Sequence, residues 1–71
     1  MYAFTKSLRN ADHSRRYSIT RTDAGWDVLE EADSRVVRRS TYTDWRRVEW
    51  ARRSFTLAVS DLREQGWSEE N

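Results

Sequence analysis

Seventy-one residues make one domain and no more, and with no cysteine the chain has no disulfide, no thiolate nucleophile and no cysteine metal site. One histidine, His13, is too few for a zinc ion held by nitrogen ligands, and no apolar run approaches the roughly 18 residues of a membrane span. The net charge of +1 is blocked along the chain: +4 over residues 1–21, −5 over 22–34, +5 over 35–53 and −3 over 54–71. A dedicated nucleic-acid binder carries an uncompensated basic excess; alternating blocks favour internal pairing or an antiparallel self-partner.

Residues 1–14 are polar with scattered Tyr2, Phe4 and Leu8, and read as a flexible N-terminal arm with at most a short strand or turn. No continuous apolar run opens the chain, so no signal peptide is expected, and the expected address is the cytoplasm. Arg16-Tyr17-Ser18-Ile19-Thr20-Arg21 alternates as a strand with Tyr17 and Ile19 on one face. Thr22-Asp23-Ala24-Gly25 is a turn, with Gly25 placed to take a positive φ. Residues 26–30 form a second strand that puts Trp26 and Val28 on one face, and 35–39 a third in which either Val36 or Val37 faces inward.

A long helix follows. Trp45, Val48, Ala51, Phe55, Ala58, Val59 and Leu62 recur at helical spacing, while Trp50 and Leu57 lie roughly 120–140° away at about 100° per residue. Thr41-x-x-Asp44 is a variant capping box, with Thr43 a competing cap. At the far end Gly66 fits the left-handed C′ position, which makes Leu62 and Trp67 the contacting pair of a Schellman motif. Residues 68–71 read as a disordered tail. A helix over 42–65 measures about 36 Å against strands of about 17–20 Å, so it is expected to overhang its sheet. Either the arm, through Tyr2, Phe4 and Leu8, or a second copy then has to cover the overhang.

The expected fold is therefore α+β: a three-stranded antiparallel β-meander packed on one long C-terminal α-helix, within a domain over 15–67. Its expected core is Tyr17, Ile19, Trp26, Val28, Val37, Trp45, Val48, Ala51, Phe55, Val59 and Leu62. Catalysis is not expected. No nucleophile lies in a recognisable setting, the adjacent Glu30 and Glu31 point to opposite faces of a strand, and Gly25 and Gly66 make no phosphate loop. No catalytic residue, cofactor, metal or small-molecule substrate is assigned.

Two surfaces remain. Arg46, Trp50, Arg53 and Leu57 share the side of the helix away from its apolar stripe, and Arg and Trp are favoured interface anchors. They are the candidate partner-binding residues of a module that self-associates as a homodimer, or docks another protein, through its helix. The second surface is the sheet. Strand, Gly25-Trp26 turn, strand, strand and then Thr41-x-x-Asp44-Trp45 opening a helix resembles many small uncharacterised bacterial β-β-β-α proteins. It is also similar to the arm-type DNA-binding domains of tyrosine recombinases, which press such a sheet into DNA. That resemblance covers residues 16 to about 55 and implies Arg16, Arg35, Arg38 and Arg39 as DNA-facing candidates of a small accessory protein. Asp27, Glu30 and Glu31 in the middle strand depart from the basic sheet of those domains and suit cross-strand ion pairs instead.

Overall fold

A computed structural model describes residues 3–70. Four long strands, β1 (Ala3–Asn10), β2 (His13–Thr22), β3 (Gly25–Ala32) and β4 (Arg35–Tyr42), precede α1 (Trp45–Glu64) and a three-residue β5 (Ser68–Glu70). They make one antiparallel sheet in the order β4-β3-β2-β1-β5, with α1 against one face. The class is α+β as expected, but the sheet has five strands rather than three.

Both additions come from the segments expected as an arm with at most a short strand or turn and as a disordered tail. Residues 3–10 are a strand, not an arm, because Phe4 and Leu8 alternate with polar residues and pair with Ile19 and Arg15 of β2. Their large apolar side chains, Phe4 and Leu8, give a weak sequence signal, yet Leu8 is fully buried. Residues 68–70 are not a frayed tail. The Schellman turn reverses the chain and lays Ser68–Glu70 along β1, where Lys6 and Arg9 meet Glu69 and Glu70 at 3.0 and 3.5 Å. Tyr2 and Asn71, also assigned to the arm and the tail, lie outside the described residues.

The turns are tight. Asp33 and Ser34 both have positive φ (51° and 67°), the pattern of the two-residue type I′ hairpin that suits the strand twist. Asp33 also reaches the start of β2: its carboxylate accepts the Ser14 N–H at 2.9 Å and lies 3.3 Å from His13 Nδ1, while its own N–H donates to the Ser14 carbonyl. These contacts hold its carboxyl below the usual range, the Ser14 N–H contributing most. Gly25 has φ 141°, and a β-carbon there would collide with the Tyr42 carbonyl oxygen, so this turn needs glycine on two counts.

The helix ends differ in how they match expectation. Asp44 is the N-cap, its side chain accepting the Arg46 N–H at 3.0 Å; Thr41 and Tyr42 belong to β4, so neither Thr41 nor Thr43 caps α1. At the C-terminus Gly66 takes φ 101°, its N–H bonds the Arg63 carbonyl at 3.1 Å, and the Trp67 N–H bonds the Leu62 carbonyl at 3.0 Å, which is the Schellman pattern expected. Twenty residues of helix span about 30 Å, and strands of eight to ten residues span about 27–33 Å. The helix therefore does not overhang.

Leu8, Tyr17, Ile19, Val28, Val48, Phe55 and Val59 form the buried core, with Phe4, Trp26, Tyr42, Ala51, Ala58, Leu62 and Trp67 packed around it. Phe55 meets Tyr17 and Phe4 at ring-centroid distances of 4.9 and 6.3 Å, so β1 supplies the cover the helix needs. Two expected core residues are corrected. Val37 is 57% exposed, since a register shift opposite Glu30 and Glu31 leaves it as the extra residue of a β-bulge. Trp45 is 41% exposed, its ring tilted 5.4 Å from that of Trp26, over which the Arg21 guanidinium also lies at 4.9 Å.

Candidate functional site

The outward side of α1 is one continuous exposed stripe. Arg46, Trp50, Arg53, Leu57, Ser60, Asp61 and Glu64 fall within an arc of about 100°, opposite buried Val48, Phe55 and Val59. Trp50 is 71% and Leu57 67% exposed, the largest exposures among the big apolar side chains described. The four helix residues singled out from the sequence thus lie together on the solvent side. The stripe is graded: Arg46 and Arg53 flank Trp50 in the N-terminal half, Leu57 follows just past the midpoint, and Asp61 and Glu64 lie toward the C-terminal end. Beside it, Arg52 is engaged with Glu49 through two hydrogen bonds of 3.1 and 3.4 Å, which hold the Glu49 carboxyl below its ordinary range.

Next to this stripe a groove of about 530 Å³ opens between α1 and β4. Its floor is Val28, Ala51 and Phe55, and its walls carry Arg38, Tyr42, Arg46, Arg47 and Trp50, with Glu30 and Asp44 at the margins. Strand β4 is an edge of the sheet: β3 bonds one side of it and, among the described residues, no strand lies on the other. The groove and the open edge are what sequence reasoning missed. Their one sequence signal is the +5 block over residues 35–53, which spans β4 and the first half of α1. That the block lies beside an edge could not be read without the strand order.

The four sheet arginines separate. Arg39 lies on the face away from the helix, with Ser18, Thr20 and Leu29, and donates to Asp27 at 3.4 Å; Asp27 also accepts the Thr41 hydroxyl at 3.0 Å. Arg16 is on that same face, opposite Glu31. Arg38 instead lines the helix-side groove, opposite Glu30, and Arg35 sits at the hairpin end opposite Ala32. The acids of β3 do form cross-strand pairs, Asp27 with Arg39 at 3.4 Å and Glu30 with Arg15 at 3.9 Å.

Among the described residues no three His, Cys, Asp or Glu side chains are grouped to hold a metal, and no helix is long and apolar enough to cross a membrane. No protein-family model, curated protein or solved structure matches the chain.

Proposed function

We propose that the chain is a non-enzymatic interaction module that pairs with a second copy of itself through the outward stripe of α1. The supporting observation is the self-complementarity of that stripe. Laid antiparallel on its own image, it sets Arg46 opposite Glu64 of the second copy, Trp50 opposite Ser60 and Arg53 opposite Leu57. Each end pairs unlike charges, while nearer the centre Trp50 meets the small Ser60 and Leu57 lies on the methylene stem of Arg53. A parallel arrangement would set arginine against arginine. A two-fold axis across the helix midpoint needs only this one patch.

The ground for self-association has changed from the expected one. The inner apolar stripe is covered by the chain's own β1, so a second copy is not needed to complete the core. What remains is the outer stripe, a narrow surface. Burying Trp50 and Leu57 from both copies supplies about 6–12 kcal/mol, against an association cost of at least about 4. The dimer is accordingly weak, micromolar at best. The nucleic-acid reading has less support, since Arg16 and Arg39 alone of the four share the open sheet face and both stand against acids of β3.

A charge exchange tests the register. Arg46→Glu alone and Glu64→Arg alone each place like charges together and are expected to weaken dimerisation several-fold in sedimentation equilibrium. The double variant is expected to recover it. Failure of the double variant to recover would remove the antiparallel arrangement.

A further inference from the structure

We propose that the open edge of β4, with the groove between it and α1, docks an extended acidic segment of another protein as an added strand. This inference concerns a surface beside the self-association stripe: it shares Arg46 and Trp50 with that stripe, while the edge of β4, Arg38 and Arg47 belong to it alone. Three observations converge. The outer edge of β4 has no strand beside it among the described residues, so its backbone N–H and C=O groups face outward as a template for β-addition. Arg35, Arg38, Arg46 and Arg47 crowd that edge and the groove rim, and none of the four is ion-paired among the described residues, whereas Lys6, Arg9, Arg15 and Arg39 each have an acid. Between these arginines the groove floor is apolar, with exposed Trp50 overhanging it.

The occupant follows from that arrangement. Unpaired arginines call for carboxylates, the backbone edge calls for a peptide, and the apolar floor calls for interspersed apolar side chains. Regular pairing is open along Arg38–Tyr42, beyond the bulge, which is five residues or about 17 Å of added strand. A second copy is a poor occupant. Its own β4 would bring Arg35, Arg38 and Arg39 against themselves, and its β5 is three residues long with acids already held by Lys6 and Arg9. A nucleic-acid strand is disfavoured because Glu30 and Asp44 sit in the lining, where a continuous phosphate chain would meet them. A peptide can place uncharged residues there.

The test uses a capped eight-residue peptide, Glu-Ser-Val-Ser-Glu-Ser-Val-Ser, which puts Glu and Val on one face of an added strand, titrated by calorimetry, with its position mapped by amide chemical shifts. Wild type and the Leu57→Ser chain are both used, so that loss of self-association and loss of peptide binding read separately. The proposal expects saturable binding by both chains and amide shifts concentrated in residues 35–42. It expects at least a tenfold loss when Gln replaces Glu in the peptide, and the same loss for Arg38→Glu with Arg47→Glu. Should that double variant unfold, Arg38→Gln with Arg47→Gln takes its place. No binding, shifts away from β4, or equal binding of oligothymidylate or polyglutamate would each overturn the proposal.

Discussion

Asp33 shows how much one side chain does in a chain this small. It occupies the first position of the β3–β4 turn with φ 51°, ties that turn to Ser14 and His13 of β2, and has its carboxyl held below the ordinary aspartate range by those contacts. A carboxyl lowered in the folded state contributes stability that is present above its unfolded value and lost as pH falls through its folded one. Asp33→Asn keeps an oxygen that accepts the Ser14 N–H but removes the titration. Urea midpoints measured from about pH 6 down to pH 2 should therefore show wild type above the variant at neutral pH, with the difference closing below about pH 4. A difference that stays constant with pH would mean the carboxylate charge contributes nothing. The turn was visible in the sequence as the break between the strands at 26–30 and 35–39. The long-range link to Ser14 was not, because it depends on β2 starting at His13.

At the scale of elements, α1 has one buried face and one exposed face, and single substitutions separate them. Phe55 is buried against Tyr17 and Phe4, and Phe55→Ala should cost about 3–5 kcal/mol in chemical denaturation. Leu57 is two positions on but exposed, and Leu57→Ser should change stability by no more than about 0.5 kcal/mol while abolishing self-association. A large stability loss at Leu57, measured on dilute monomer, would mean the stripe is structural. The helix was the most legible element: its apolar periodicity and the Gly66 stop were both readable locally. Its start differs from the expected one because Thr41 carries strand as well as cap character, and only pairing with β3 decides for strand. The first strand escaped notice for a related reason. Its outward residues are Thr, Ser and Arg, and its alternation becomes meaningful only once Phe4 and Leu8 meet β2 and α1. Likewise, no local pattern announces the bulge that exposes Val37.

For the whole molecule, strands nearly as long as the helix turn an apparent excess of apolar surface into a closed core, with β1 as the cover. What is left outside is a basic edge at β4 and a helix stripe graded from Arg to acid. The candidate residues on the helix were legible because exposure there follows from periodicity alone. The groove beside them was not, because it is made by strand order. The measurement that tests the central claim most directly is molar mass by light scattering, from roughly 10 μM to 1 mM chain, the range in which a weak dimer forms. The account predicts a mass rising from 8.5 kDa toward twice that value, little changed by salt, and fixed at 8.5 kDa for Leu57→Ser. A wild-type mass of 8.5 kDa at every concentration would contradict it.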